Sequence, residues 1–217
     1  PFRGASMPLS LWLVPPESDS DEIASTMRAV ASAHLLPSSA PHVTLLGDAS
    51  GGGNDERALH EAVQRLISLG ERWTGGAVVC EFTEIYGSDV WNQSGVAIMR
   101  ETRQLLELQR LARCVFFSES IAEAESAPAW ALPLRQPHLS LIYGGCARVL
   151  SELTLPKPFV ADTIALWDCT PADLAGVPLW REVAKVKLAG KPGSAQILCT
   201  HKDFGMISGG GTVGVVA

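Results

Sequence analysis

The sequence predicts an α+β protein built from two similar lobes. Segments with strand-like and helix-like spacing alternate along the chain. One short pattern, Pro-His-x-Thr/Ser followed by apolar residues, occurs at 41–46 and again at 137–142. Because the two copies lie in different halves, we expect each lobe to contribute one strand to a shared cleft.

The first half predicts strands and helices from apolar spacing and from their end signals. Two prolines close the first apolar run, Ser18 or Ser20 is placed to cap the first helix, and Gly70 is placed to end the second helix. A turn at 51–53 is glycine-rich. In order, we predict a strand at 10–14, a helix at 21–36, a strand at 42–47, a helix at 55–69, a hairpin-like strand pair at 77–86 and 95–100, and a helix at 101–117.

The second half predicts a similar layout within one domain over residues 7–190. The expected elements are a strand at 138–143, a short helix at 147–153, and strands at 159–167 and 180–188. Residues 1–6 precede Met7, a possible natural start, and we expect them to come from the cloning vector. Residues 191–217 are rich in glycine, which predicts a flexible tail.

Composition narrows the function classes. With 47% hydrophobic residues, the 217-residue chain has enough apolar material for an ordinary core. A net charge of −6 argues against a long nucleic-acid interface, because such interfaces neutralise many phosphates with Lys and Arg. The sequence has no apolar run of membrane-spanning length, and its five cysteines form no CxxC pair. We therefore expect a cytoplasmic monomer with reduced thiols, no membrane association and no zinc cluster.

The repeated pattern is suited to binding and cleaving a phosphate. On a strand, residues i and i+2 share a face, so each copy presents an imidazole beside a hydroxyl. These are His42 with Thr44, and His138 with Ser140. Two such strands side by side would surround a small anion with hydrogen-bond donors, and one imidazole can lose a proton while the other keeps one.

These two motifs resemble those of the 2H phosphoesterases. Within that superfamily the opening Ser-Leu-Trp-Leu-Val-Pro-Pro at 10–16, the second motif with Tyr143, and the segments 164–167 and 180–184 look like the plant and fungal cyclic phosphodiesterases. The resemblance covers about residues 9–188 and implies a bilobal fold, with two pseudo-symmetric lobes of antiparallel sheet and outer helices around a central cleft.

The resemblance also implies an activity, which is hydrolysis of ribose cyclic phosphates without a metal or other cofactor. The expected substrate is a small molecule, either ADP-ribose 1'',2''-cyclic phosphate from tRNA splicing or a nucleoside 2',3'-cyclic phosphate. We assign His138 as the base that activates water and His42 as the acid that protonates the leaving oxygen, and the reverse assignment stays open. Thr44 and Ser140 would bind the phosphoryl oxygens, and Tyr143 would assist at the phosphate or stack on the base.

Two other functions remain open at this point. An RNA-end-processing member of the superfamily, acting on 2'-5' linkages or trimming 3' ends, would need a basic groove, which the net charge of −6 disfavours. A module that binds a phosphorylated ligand without turnover is disfavoured because both histidines and both hydroxyls are present. Other residues are expected to be structural: the histidines at 34, 60 and 201 at the surface, and the tryptophans at 12, 167 and 180 in the core.

Overall fold

A computed structural model describes most of the chain as a large sheet with helices on one face. It covers residues 9–49, 55–118, 137–144, 147–188, 196–199 and 213–215. The helices in these ranges are α1 (Glu17–Ala33), α2 (Glu56–Arg72) and α3 (Arg103–Phe117). The strands are β1 (Leu9–Val14), β2 (Val43–Leu46), β3 (Val78–Cys80), β4 (Phe82–Tyr86), β5 (Gly95–Met99), β6 (His138–Ile142), β7 (Phe159–Ala161), β8 (Thr163–Asp168), β9 (Arg181–Lys187), β10 (Gln196–Cys199) and β11 (Val213–Val215). The α+β fold class is thereby confirmed.

Nine strands form one sheet in the order β11-β10-β9-β8-β1-β2-β6-β5-β4, and β3 pairs with β7 in a separate ribbon. Neighbouring strands are antiparallel, except for the parallel pair of β10 and β11. β2 and β6 come from different halves of the chain and meet in the middle of the sheet, where Val43 pairs with Leu139. The two repeated motifs therefore lie side by side.

The core lies between the sheet and the helices. α1 packs against β6, α2 against β8 and β9, and α3 against β2 and β3. Alternate residues of the central strands are buried there, including Leu11, Leu13, Val43, Leu45 and Leu139. Since strand side chains alternate faces, the residues between them lie on the opposite face of the sheet.

Several element boundaries differ from those that the sequence predicts. α1 begins directly after Pro16, which is its N-cap and has no side-chain acceptor, so neither Ser18 nor Ser20 caps the helix. It ends at Ala33, and Leu35 adopts a left-handed conformation (φ 55°). α2 continues through Gly70, which is buried, so this glycine does not end the helix.

The predicted strands at 77–86 and 159–167 are each divided in two. β4 pairs with β5 as the hairpin expectation requires, whereas β3 pairs with β7. Residues 147–152, expected to be a short helix, form a 3-10 helix. The two strands are divided because their parts pair with different partners far away in the sequence, and local apolar spacing carries no information about such pairing.

The C-terminal segment expected to be flexible contributes β10 and β11, which extend the sheet beyond β9. Residues 1–6 and the glycine-rich turn at 51–53 lie outside the described residues. Within the described part, Cys80, Cys114 and Cys169 are free thiols. No helix in these ranges combines the length and apolarity needed to cross a bilayer.

Candidate active site

The two motifs meet on the face of the sheet opposite the helices. Val43 and Leu139 pair in antiparallel register, and both are completely buried in the core. One step along the same register places each motif histidine across from the other motif's hydroxyl residue. The four side chains brought together in this way are His42 opposite Ser140, and Thr44 opposite His138.

Three of these four side chains are buried and the fourth is half-buried. The exposed fraction is 3% for His42, 9% for His138 and 5% for Ser140, whereas Thr44 is partly open to solvent. Low solvent access strengthens the electrostatic interactions of these groups with each other and with an anion. The sequence-predicted residues therefore form one compact polar cluster.

His42 is held in one orientation and in its neutral form. Its Nδ1 lies 2.7 Å from the carbonyl oxygen of Ala40, so Nδ1–H donates and Nε2 is left to exchange a proton with a ligand. Burial lowers the pKa of His42 to about 3; the Ala40 carbonyl opposes this shift and the nearby His138 adds to it. At neutral pH the imidazole therefore carries no charge in the ligand-free protein.

Trp12 forms the wall behind His42. Trp12 is opposite Thr44 in the β1–β2 pair, and its ring stacks on the imidazole of His42 with centroids 3.4 Å apart and planes 3° apart. Trp167 packs nearby, with its ring centroid 4.4 Å from that of Trp12. Trp12 is buried, as expected, but it lies on the site face and not in the helix-facing core. Sequence reasoning missed this contact because it depends on the pairing of β1 with β2.

A hydrogen-bond chain fixes the orientation of the Trp12 ring. The indole Nε1–H donates to Ser10 Oγ at 2.7 Å, and Ser10 Oγ donates to the carbonyl of Leu46 at 3.0 Å. Ser10 is itself buried, so both groups are satisfied without water. The surface against which His42 stacks is thus preorganised before any ligand arrives.

His138 contacts a buried glutamine that the sequence did not single out. The amide nitrogen of Gln93 lies 3.3 Å from Nε2 of His138. Gln93 is 5% exposed, and its Oε1 has no hydrogen-bond partner among the described residues. A polar residue just before the apolar strand β5 was the only local signal for it.

Gln93 belongs to a 3-10 turn, Trp91–Gln93, that is bonded to the second motif strand. Ser140 Oγ donates to the carbonyl of Asn92 at 3.3 Å, and the amide of Gly144 donates to the carbonyl of Trp91 at 2.7 Å. Ser88 Oγ donates to the carbonyl of Gln93 at 2.8 Å. The turn therefore holds Gln93 in a fixed position relative to β6.

Tyr143 lies beside the cluster and connects its two halves. Its hydroxyl accepts a hydrogen bond from Ser39 Oγ at 3.2 Å and also bonds Ser140. Burial raises the pKa of Tyr143 to about 12, so the phenol stays protonated. Tyr143 is 2% exposed. Its ring centroid lies 5.6 Å from that of Trp180, which is edge-on, and 6.4 Å from that of Trp91. Trp180, expected in the core, is partly exposed at this rim.

The remaining histidines are not part of the cluster. His34 pairs with Glu152 at 2.9 Å on the surface, His60 is exposed on α2, and His201 lies outside the described residues. Across the described ranges no three His, Cys, Asp or Glu side chains converge in a way that suits a metal ion.

Solved structures with the same fold come from Escherichia coli. LigT in complex with 3'-AMP matches with a TM-score of 0.50 and 16% identity, covering 84% of this chain and 98% of LigT. LigT in its apo form matches with a TM-score of 0.51 and 15% identity, covering 84% of this chain and 97% of LigT. At this identity the likeness concerns the fold. It supports the expected 2H phosphoesterase architecture.

A comparison with curated proteins found no match. A family model described as "Cyclic phosphodiesterase-like protein" matches residues 7–155, which is more than half of the chain and includes both motifs. The paired His-x-Thr/Ser strands in the middle of the sheet lie within the matched residues. The chain belongs to the cyclic phosphodiesterase-like family of the 2H phosphoesterase superfamily, and it is a phosphodiesterase by family.

Proposed function

We propose that this protein opens ribose cyclic phosphates. It converts ADP-ribose 1'',2''-cyclic phosphate, a by-product of tRNA splicing, to ADP-ribose 1''-phosphate. It also converts nucleoside 2',3'-cyclic phosphates to nucleoside 2'-phosphates. The observation that carries this proposal is the β2–β6 register, which gathers two imidazoles and two hydroxyls on one face. The resemblance to the plant and fungal enzymes supports the choice of substrate.

The four motif side chains supply the groups that ring opening needs. His138 takes a proton from the attacking water, and His42 gives a proton through Nε2 to the leaving ribose oxygen. Thr44 donates a hydrogen bond to a non-bridging phosphoryl oxygen, where negative charge develops. Ser140 does the same when its one hydroxyl hydrogen turns from the carbonyl of Asn92 to the substrate. The Tyr143 hydroxyl, held protonated by burial, assists Ser140 at the phosphate. This mechanism uses no metal ion.

The charges on β9 favour a small substrate over an RNA strand. Basic residues of β9 are each paired with a carboxylate: Arg181 with Asp168, Lys185 with Glu182, and Lys187 with Asp162, each at 3.1 Å. Paired cations attract a phosphate backbone less than free ones. We therefore propose that the protein acts on small cyclic phosphates, and we propose separately that it is a cytoplasmic monomer.

Hydrolysis of 2',3'-cyclic AMP and of ADP-ribose 1'',2''-cyclic phosphate in the presence of EDTA tests the proposal. We expect turnover to the 2'-phosphate and to ADP-ribose 1''-phosphate, resolved from their isomers by chromatography. His42→Ala and His138→Ala should each lower kcat on the order of 10²- to 10⁴-fold, because each removes a proton-transfer group. His60→Ala, which removes an exposed histidine of α2, is the matched control and should leave kcat unchanged.

Other results would indicate one of the alternative functions. Binding of both compounds without turnover would favour a phosphorylated-ligand module. Turnover confined to oligonucleotides would favour RNA-end processing. Activity that EDTA abolishes would contradict the metal-independent mechanism.

A further inference from the structure

Gln93 is a buried polar side chain beside His138 that the roles above do not use. The amide nitrogen of Gln93 lies 3.3 Å from Nε2 of His138. The amide oxygen of Gln93, Oε1, has no hydrogen-bond partner among the described residues. Native proteins rarely leave a buried amide oxygen unpaired unless a ligand or water completes it. The carboxamide therefore carries an unpaired, buried acceptor next to His138, which a small turn of the side chain would present to a water there.

The backbone around Gln93 makes this placement specific. The 3-10 turn is bonded to β6 through Ser140 and to the residues after it through Gly144. Gln93 N–H also donates to the carbonyl of Val90 at 2.9 Å. These bonds fix the backbone of Gln93 relative to β6, while its carboxamide can still turn about the side-chain torsions.

We propose that Gln93 positions the attacking water beside His138, an inference that rests on the proposed function. The water oxygen bonds to phosphorus, and the bond from phosphorus to the leaving ribose oxygen breaks. One water proton passes to Nε2 of His138, and the leaving oxygen takes a proton from His42. Oε1 of Gln93 accepts a hydrogen bond from the other hydrogen of the water.

The chemistry of ordered water supports this arrangement. A bound water needs two to four polar partners, and Nε2 of His138 with Oε1 of Gln93 would supply two acceptors for its two hydrogens. The present contact of 3.3 Å between the amide of Gln93 and Nε2 of His138 is long for a hydrogen bond. A water can therefore replace the amide at Nε2 of His138 with little loss of free energy. With both hydrogens held, the water lone pair is directed at phosphorus.

Three variants of the full chain test the inference. Gln93→Met keeps the length of the side chain without its polar end, Gln93→Glu keeps an acceptor oxygen, and Gln109→Met alters an equally buried glutamine on α3. For 2',3'-cyclic AMP we expect Gln93→Met to lower kcat on the order of 10²-fold, the effect of a misplaced reactant, with KM changed less than about twofold. Gln93→Glu should retain more of the rate, and Gln109→Met should retain all of it.

Methanol as a competing nucleophile separates water positioning from a general structural effect. Methanol has a single hydroxyl hydrogen, which His138 takes, so it cannot use the acceptor on Gln93. The ratio of methyl ester to hydrolysis product should therefore rise in Gln93→Met relative to the unmodified protein, while thermal melting shows that the variant is folded. A rise in this ratio supports the inference.

An unchanged ratio, or an unchanged kcat, in Gln93→Met would overturn the inference and leave the proposed function intact, since the unmodified protein would still hydrolyse the substrate. Absence of hydrolysis by the unmodified protein would instead overturn the proposed function and this inference with it. Equal losses in Gln93→Met and Gln109→Met would show that burial of a glutamine, and not its place beside His138, matters.

Discussion

At the scale of single residues, His42 shows how neighbours determine the chemistry of a side chain. Trp12 covers one ring face, the Ala40 carbonyl takes the Nδ1 proton, and burial lowers the pKa to about 3. A neutral imidazole whose proton is on Nδ1, as in His42, has no proton on Nε2 to donate. If His42 is the acid, the anionic substrate must raise its pKa on binding, because an opposite charge favours the protonated form.

Substrate binding is therefore predicted to take up a proton at His42. We expect His138→Ala, which should turn over 2',3'-cyclic AMP at least about 10²-fold more slowly, to take up a fraction of a proton at pH 6 when it binds this substrate. The cyclic diester does not itself titrate near this pH, so calorimetry in two buffers of different ionisation enthalpy measures the uptake. The matched control is the double variant His42→Asn/His138→Ala, which should show none. No uptake in His138→Ala would support the reverse assignment, with His42 as the base.

At the scale of secondary-structure elements, the helices stabilise the sheet from the side away from the site. Thr102 is the N-cap of α3, and its Oγ1 accepts a hydrogen bond from the amide of Leu105 at 3.2 Å. Asp55 is the N-cap of α2, and its carboxylate accepts a hydrogen bond from the amide of Ala58 at 2.8 Å. These caps satisfy amides that a helix leaves unpaired at its start.

Removing the cap of α3 should affect stability and not catalysis. Thr102→Ala is expected to lower the free energy of unfolding by about 1 kcal/mol, because one N-terminal amide of α3 loses its partner. Thr102→Ser keeps the hydroxyl and should lose less. Urea denaturation measures the change, and kcat for 2',3'-cyclic AMP should stay the same in both variants. A fall in kcat in the folded Thr102→Ala protein would mean that α3 influences the histidines.

At the scale of the whole molecule, charge favours a compact substrate. The chain carries a net charge of −6, and the cations of β9, a strand of the large sheet, are paired with carboxylates. An enzyme that holds an RNA strand gains affinity by releasing counterions from many phosphates, which makes its KM strongly salt-dependent. A site that binds one cyclic phosphate gains little affinity from counterion release, so its KM should depend only weakly on salt.

We therefore predict that kcat/KM for 2',3'-cyclic AMP falls by less than about tenfold between 50 and 200 mM salt, as expected for contact with a single phosphate. An oligonucleotide ending in a 2',3'-cyclic phosphate should be hydrolysed no better than the mononucleotide. Steady-state kinetics with both substrates measure this. A marked preference for the oligonucleotide, lost at high salt, would favour RNA-end processing.

Much of this protein was predictable from sequence because the relevant signals are local. The alternation of His with Thr or Ser places both on one face of a strand, and the apolar residues between them bury the other face. The helices and central strands follow from apolar spacing in the same way. The α+β class and the expected juxtaposition of the two motif strands therefore agree with the structure.

The sequence by itself thus determined the elements and the paired motif, whereas only the tertiary structure decided what surrounds each histidine. Trp12 reaches His42 through the pairing of β1 with β2, and Gln93 reaches His138 from a turn 45 residues earlier in the chain. Likewise, the depressed pKa of His42 comes from burial by other elements. Local spacing encodes which face a side chain takes, but register and packing between distant segments determine its neighbours.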